Sequence, residues 1–446
     1  MTGRLRALAD AGTPIRIGLI GAGKFGRMFL AQIPHVAGFE LVGICDRELD
    51  RCRAALDETG SPRDGGPTPL LSDDAGRLLD QCELDVVVEA TGDPSAALRH
   101  ALDAIDRGIH VVNVTVEADA LLGPLLARRA TEAGCVYSMA YGDQPALICE
   151  MVEWARTVGF HVVCAGKGTR YLPIYHESTP ETVWGHYGMT PAAARRAGMN
   201  AKMFNSFLDG TKSAIEMAAV ANACDLTPPA AGLGFPPASR DQLAEVLIPT
   251  AAGGVLTEAG TVEVISSLHR DGSDVPGDLR WGVYVTFEAS NDYAAECLPQ
   301  YGVATDASGR YAAMYRPSHL IGLELGVSVA SAATRGEPTG QPRTFAADVV
   351  AVAKRDMKAG ERLDGEGGAT VWGQLMPAAA SLAAGHLPIG LCADLPVADD
   401  VAVGQRLCWQ DVELPESEAL TLRRELEASV AVGAADAVPA PRVDSQ

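Results

Sequence analysis

The stretch RIGLIGAGKFG, Arg16 to Gly26, decides how the first part of this chain folds. A short apolar strand, Ile17 to Ile20, runs straight into Gly21, Gly23 and Gly26, and an apolar helical pattern follows. That order suits a phosphate cradle. Gly21 permits a tight strand-to-helix turn, Gly23 lets backbone approach a pyrophosphate, and Gly26 lets helix and strand pack closely. The free N–H groups and the dipole of the helix then face the anion. A glycine triplet alone is weak, but a second apolar strand, Glu40 to Cys45, ends at Asp46, twenty residues past Gly26. An acid at that spacing meets the 2′-OH of an adenosine ribose. The expected cofactor contacts are Gly21, Gly23, Lys24, Phe25, Gly26, Asp46 and Arg47, with the later turn Ala90, Thr91 and Gly92.

Outward from this unit, strand and helix patterns alternate through the first third of the chain. A helical stretch to about Glu58 leads to the loop GSPRDGGPTP, and helix Ala75–Cys82 leads to the buried-strand run Asp85 to Gly92. Helix Pro94–Arg107 precedes HVVNVTVEAD, and helix Leu121–Ala133 precedes CVYSMAYGD. Near-continuous apolar strands between helices indicate an α/β fold, a parallel sheet covered on both faces. Such a sheet is doubly wound, with its ligand crevice at the carboxyl ends of the strands.

The pattern changes near Glu150. HVVCAGKGTRY reads as a strand entering a Gly-rich, cationic turn, and Asn200 to Asp225 begins polar and becomes a strong helix. Residues 230–315 are Gly-rich and strand-like, and His319 to Thr334 reads as a buried helix packing back on the first domain. GEPTGQPR is a linker by composition. The expected units are residues 1–150, 151–340, a β-rich module over 341–429, and a disordered tail over 430–446.

The 446 residues carry a formal charge of −21, which argues against nucleic acid or an anionic membrane as partner but leaves an anionic small substrate open. Ten scattered cysteines, without C-x-x-C or zinc spacing, read as reduced thiols. Residues 1–14 lack a secretory apolar core, and no apolar run reaches the ~18–20 residues of a membrane span. The expected setting is the cytoplasm.

Hydride transfer needs a gripped substrate, positive charge or a proton donor at its oxygen, and exclusion of water. Lys167 lies between two glycines, and FLDGTKSAIEMA offers Asp209, Thr211, Lys212 and Glu216. Asp209 or Thr211 caps a helix, leaving Lys212 and Glu216 one turn apart. The competing reading is a helix cap with a surface ion pair. Glu117 and Asp143 lie just past strands facing the crevice, where they grip substrate hydroxyls, share a divalent cation, or remain solvated loop acids. His176-Glu177 and His186 do not form H-E-x-x-H and read as exposed loop residues.

With these segments in place, the chain resembles the NAD(P)-dependent oxidoreductases related to homoserine dehydrogenase that carry a C-terminal SAF-like module. Within that group it looks most like the 1-deoxy-D-xylulose 5-phosphate reductoisomerase-like proteins. The resemblance runs through RIGLIGAGKFG, HVVNVTVEADALLGP, the turn Gly142–Pro145, AGKGTRY, FLDGTKSAIEMAAVANA, YRPSHL and AVAKRDMKAGERLDGEGG. It implies a Rossmann domain, a central α+β domain carrying catalysis, a small β module over 341–429 and a homodimer. It also implies functional roles for Lys167, Asp209 and Lys212, and reductoisomerase-like chemistry on a phosphorylated ketose with NADPH. Two departures stand out. Homoserine dehydrogenases place a lysine just after the strand equivalent to HVVNV, whereas this strand leads into Thr115-Val116-Glu117. Asp46 repels a 2′-phosphate and favours NAD over NADP, although Arg47 follows it. The expected activity is therefore oxidation or reduction of a small polyhydroxylated carbonyl or alcohol, phosphorylated or not. Reductoisomerase-like, homoserine dehydrogenase-like and non-catalytic sensor readings are the alternatives.

Overall fold

The computed structural model describes residues 1–61 and 67–436. Part of the GSPRDGGPTP loop and residues 437–446 of the expected tail lie outside the described residues. A helix, Thr2–Ala11, precedes six strands: β1 (Ile15–Ile20), β2 (Phe39–Cys45), β3 (Leu70–Ser72), β4 (Val86–Glu89), β5 (His110–Asn113) and β6 (Tyr137–Met139). They form one parallel sheet in the order β3-β2-β1-β4-β5-β6. This is the Rossmann order, in which the chain reverses direction between β1 and β4 and opens a crevice there. The strands are apolar on both faces because helices cover both; Ile17, Leu19, Val87, Val88 and Val111 are all buried.

The second domain holds β7 (His161–Thr169), β8 (Thr261–Ser266), β9 (Val283–Glu288) and β10 (Tyr311–Arg316), ordered β10-β9-β7-β8. β7 and β8 are parallel, and the other pairs are antiparallel. Lys167 thus lies within a strand, not in a turn. Its flanking glycines answer to close packing: a Cβ on Gly166 would overlap the Glu263 carbonyl, and one on Gly168 would overlap that of Leu279. The polar start of Asn200 to Asp225 is a helix of its own, Ala201–Leu208, and the strong helix is Thr211–Cys224, the two parted where Gly210 takes a φ of +90°. Helix Gly326–Arg335 places Val329 and Ala330 in the first domain's core beside Ile17 and Leu19.

The GEPTGQPR segment is not a loose linker. Met139 N–H donates to Gly340 O at 2.8 Å along the free edge of β6, and Thr339 N–H donates to Ser138 Oγ at 3.0 Å. Beyond it, β11 (Ala347–Ala353) pairs with β13 (Val371–Pro377), and β12 (Arg362–Asp364) pairs with β14 (Ala393–Pro396), both antiparallel. These strands share one core with the second domain, where Val349 and Leu375 join Ala218 and Val262.

The expected tail begins inside a helix, Glu418–Asp436, that composition did not reveal. Its Ala419, Leu422 and Leu426 pack into the first domain, yet the fully buried residue between them is Arg423. Arg423 Nη2 meets Asp348 Oδ2 at 2.6 Å, and the guanidinium lies over the Phe345 ring. A charge at a core position interrupts the apolar periodicity from which a helix is read.

Candidate active site

The glycine loop has the geometry its sequence requires. Gly21 sits at φ +104°, and a Cβ there would lie 2.5 Å from Ala90 O. A Cβ on Gly26 would overlap the Gly21 carbonyl, whereas one on Gly23 would meet nothing within 4 Å. Gly23 instead borders a cavity of about 570 Å³, lined also by Lys24, Arg27 and Arg51. Open space over Gly23 with three cations around it suits the phosphates of a dinucleotide. Phe25 points elsewhere, into the first domain's core.

Asp46 reaches this loop from the end of β2. Its Oδ2 accepts Ala22 N–H at 3.0 Å and its Oδ1 accepts Glu48 N–H at 3.1 Å, which orients the carboxylate beside the cradle. Arg47 is exposed, and the arginines that line the cavity are Arg27 and Arg51.

The turn Ala90, Thr91 and Gly92 is organised by Glu89, a residue sequence reasoning missed. Glu89 is 1% exposed at the end of β4, its Oε1 accepting Thr91 Oγ1–H at 2.5 Å and its Oε2 accepting Thr115 Oγ1–H at 2.5 Å. Thr115 Oγ1 in turn accepts Gly92 N–H at 3.1 Å, so one buried carboxylate ties two strand-end turns together. The signal was an acid ending an otherwise apolar strand.

Across the crevice, two lysines meet four carboxylates. Lys167 Nζ donates to Gln144 Oε1 at 2.8 Å and pairs with Glu216, while Lys212 Nζ pairs with Glu117. Lys212 and Glu216 are one turn apart on helix Thr211–Cys224, yet each bonds a different domain element rather than the other, which replaces the surface ion-pair reading. Glu117 lies in the first turn of helix Val116–Glu132, which begins five residues before the expected Leu121. Asp143 caps helix Gln144–Thr157, its Oδ1 accepting Gln144 N–H at 2.8 Å.

The electrostatics are set by this crowding. Burial works against the Lys212 ammonium, but Glu117, Glu216, Glu366 and Asp143 outweigh it and hold its pKa above the ordinary value. Burial, reinforced by Glu216 and opposed by Lys212, pushes the Asp143 carboxyl up to about 6. Glu366 of the C-terminal module was never singled out from sequence; burial and Glu117 push its carboxyl up to about 8.

Asp209 is not part of this cluster. It is fully buried, its Oδ2 meets Lys354 Nζ at 2.7 Å, and its Oδ1 accepts Thr211 N–H at 2.9 Å. Burial raises its carboxyl pKa, and Lys354 is the partner that opposes this. Asp209 therefore anchors the C-terminal module under helix Thr211–Cys224 and does not face the crevice with Lys212. His176 is also not an exposed loop residue. Its ring stacks on Trp372 at 3.8 Å, its Nδ1 lies 2.7 Å from Asp209 O, and burial lowers its pKa to about 4.

The donor set does not suit a divalent cation. Glu117 is taken up by the Lys212 ammonium and Glu216 by that of Lys167, and no group of three His, Cys, Asp or Glu among the described residues is arranged to hold one. No helix among the described residues is long and apolar enough to cross a membrane.

Comparison with known families agrees with this division of labour. Residues 18–139 match the family described as homoserine dehydrogenase, NAD binding domain, and residues 142–325 match that described as oxidoreductase DRL, catalytic domain. Together they mark a nicotinamide-dinucleotide-binding Rossmann domain followed by a domain of the oxidoreductase catalytic type.

Among individual proteins, the chain is similar to glycosyl hydrolase family 109 protein 2 of Akkermansia muciniphila, 28% identical over 151 residues, which is 31% of each chain. The WlbA dehydrogenase of Bordetella pertussis, solved with NADH and UDP-GlcNAcA, is 23% identical over 35% of this chain and 47% of that one, with a TM-score of 0.29. Myo-inositol dehydrogenase of Lactobacillus casei, solved with NAD(H) and myo-inositol, is 18% identical over 38% and 50%, with a TM-score of 0.29. The chain thus covers about a third of the first relative and half or less of the two structures.

Proposed function

We propose that this chain is an NAD-preferring dehydrogenase of a small polyhydroxylated alcohol or carbonyl compound, phosphorylated or not, with Lys212 at the reacting oxygen. The observation that carries the reading is Lys212 itself, an ammonium held charged among Glu117, Glu216, Glu366 and Asp143 where the first and second domains meet. A nicotinamide cofactor, when bound, supplies the hydride acceptor or donor. Lys212 then binds the substrate oxygen and stabilises the negative charge that grows there as the hydride leaves. Because its pKa is raised, Lys212 is a poor base, and the hydroxyl proton goes to a carboxylate. Asp143, titrating at about 6, is ionised at neutral pH and close enough to a useful pKa to take it. Lys167, held by Gln144 and Glu216, positions the helix end that carries Asp143.

The test is a screen of polyols, sugar acids and sugar phosphates with NAD⁺ and NADP⁺, followed by nicotinamide absorbance. Turnover that disappears in Lys212→Met supports the reading; undiminished turnover in that variant overturns it.

One observation favours the reductoisomerase-like alternative. Arg170, just past β7, has a buried Nε without a hydrogen-bond partner among the described residues, and its charge and that of Arg280 act together on Tyr187. That pair suits an anionic group on the substrate. Conversion of 1-deoxy-D-xylulose 5-phosphate with NADPH, with and without Mg²⁺, tests it. The homoserine dehydrogenase-like alternative is weaker, because the strand-end position that holds lysine there leads here into Glu117. The SAF-like identity of residues 341–429, the homodimer and a cytoplasmic setting belong to the same reading and rest on the sequence.

A further inference from the structure

We propose that Cys149 and Cys224 form an oxidation site: a small hydroperoxide closes the two thiols to a disulfide, a thiol reductant reopens it, and the closed form locks helix Gln144–Thr157 to helix Thr211–Cys224. The inference is independent of the role assigned to Lys212.

The two sulfurs are already in contact. All ten cysteines are free, and among the described residues only this pair brings sulfur against sulfur, Cys224 Sγ–H donating to Cys149 Sγ at 3.5 Å. A disulfide needs about 2.05 Å, so each sulfur has to move by less than ~1 Å. The residues lie 75 apart in the chain, so cysteine spacing does not reveal them.

The backbone on either side is fixed. Cys149 lies inside helix Gln144–Thr157, and Cys224 is the last residue of helix Thr211–Cys224. That last turn is held from outside. Asn222 O accepts Arg343 N–H at 2.8 Å and Thr344 N–H at 3.0 Å, and its Oδ1 accepts Ala346 N–H and Ala347 N–H, both at 2.8 Å. Earlier in the same segment Gly340 lies against Cys149, where a Cβ would come 3.3 Å from the sulfur. Gly340 is also the residue bonded to Met139 on the edge of β6. The thiols therefore sit where the first domain, two helices of the second and the segment leading to the C-terminal module meet. Lys167 already ties the same two helices at another point, donating to Gln144 on one and pairing with Glu216 on the other. A disulfide would make that tie covalent.

Access decides which thiol reacts first. Cys149 is half-buried and Cys224 is buried, so a small oxidant meets Cys149. The neighbouring Cys224 thiol and burial hold the Cys149 pKa above its ordinary value, so the site answers to sustained oxidant and not to traces. Cys149 sulfur attacks the O–O bond, becoming a sulfenic acid, and its proton leaves with the alcohol, or water, that is released. Cys224 sulfur then attacks Cys149 sulfur: the S–S bond forms, the S–O bond breaks, and the hydroxyl leaves as water with the Cys224 proton. Two thiols are oxidised by two electrons, and the hydroperoxide takes both.

The test uses the full chain, reduced, freed of reductant and held with hydrogen peroxide, then alkylated and mapped by peptide mass without reduction. Wild type should yield a peptide pair joining Cys149 to Cys224, lighter by two hydrogens than the separate thiol peptides and separated by dithiothreitol. Cys149→Ser and Cys224→Ser should each lack that pair, and Cys224→Ser should carry Cys149 as sulfinic acid instead. The thermal midpoint of wild type should rise by ~5 °C on oxidation, because the bond closes a long loop, and neither serine variant should show the rise. Both thiols remaining fully alkylated, at a peroxide dose that oxidises the exposed Met203 and Met314, overturns the proposal. So does sulfinic acid at Cys149 of wild type without the cross-link. A cross-link that leaves the midpoint unmoved overturns the lock.

Discussion

Lys212 and Lys354 each pair with a carboxylate next to the same helix, and they do opposite work. Lys354 is 2% exposed, and its three bonds to Ser178 O, Asp209 Oδ2 and Gly368 O, all between 2.7 and 2.8 Å, use every proton it has. Its partner is equally sealed, because Asp209 also takes the first N–H of helix Thr211–Cys224. That pair is saturated and dry, and it locks the C-terminal module onto the second domain. Lys212 is 18% exposed, with one direct carboxylate partner and three more acids around it. Its protons are not all used, and the acids keep it charged at a crevice edge. Saturation suits a structural pair, and surplus negative charge with access suits the role proposed for Lys212.

The sharpest way to break this contrast is Lys212→Met. On the proposed role turnover should fall by at least ~10³-fold, since the variant loses the charge assigned to the reacting oxygen. NAD⁺ affinity, measured by fluorescence titration, should stay within a few-fold because the glycine loop is untouched. A loss of NAD⁺ binding equal to the loss of turnover would show that the lysine supports the fold of the crevice instead. Next in size is Lys354→Met, which leaves Asp209 buried without its partner and should cost about 3–5 kcal/mol of stability. The denaturant midpoint reads it directly. If Lys212→Met lowers that midpoint as much as Lys354→Met does, the two lysines are not different in kind.

A smaller effect follows from pH. Glu366 ordinarily titrates at 4.5 and here at about 8, so between those values the folded chain holds a proton that the unfolded chain has released. The stability this lends is complete below about pH 4.5 and lost as pH rises through 8. Glu366→Gln removes the titration, so its thermal midpoint should vary less between pH 5 and 8 than that of wild type. A Lys354 variant should instead steepen that dependence, because Asp209 loses the partner that opposes its raised pKa.

Sequence placed the surroundings of Lys212 on one helix face and put Asp209 in the wrong cluster. Lys212 stands in a helix start with Glu216 one turn on, and helical spacing predicts their shared face. Asp209 looks like part of the same cluster because it is three residues away, but the break at Gly210 turns it toward a lysine 145 residues downstream. Long-range pairing of this kind leaves no local trace. The same holds for Glu366, whose GEGG setting reads as a polar turn until the Ser206 contact is known. Arg423 hid a whole helix, since a buried charge mimics a solvent-facing position when only the pattern is visible. The Rossmann sheet was legible for the converse reason: each strand is covered on both faces, so its residues are apolar throughout and need no partner to be recognised.

The least perturbing test returns to the cofactor end, where no lysine pair is involved. Asp46 holds Ala22 N–H at 3.0 Å and Glu48 N–H at 3.1 Å, which fixes its carboxylate against Ala22, itself part of the wall of the cavity beside Gly23. A ribose 2′-OH can donate to the carboxylate, whereas a 2′-phosphate meets like charge. Asp46→Ala removes both the acceptor and the repulsion, and it leaves Lys24 and Arg51 on the cavity wall to receive a phosphate. The ratio of kcat/KM for NAD⁺ over NADP⁺ should drop about tenfold, one carboxylate-to-phosphate contact being worth ~1.4 kcal/mol at this exposure. Because the Ala22 N–H also loses its acceptor, part of the change will fall on both cofactors alike, and the ratio cancels it. If the ratio stays fixed while both values decline, Asp46 serves the turn and not the ribose. The choice between NAD and NADP would then rest with the cations on the cavity wall, Lys24, Arg27 and Arg51, and Arg51→Gln would test the last of them.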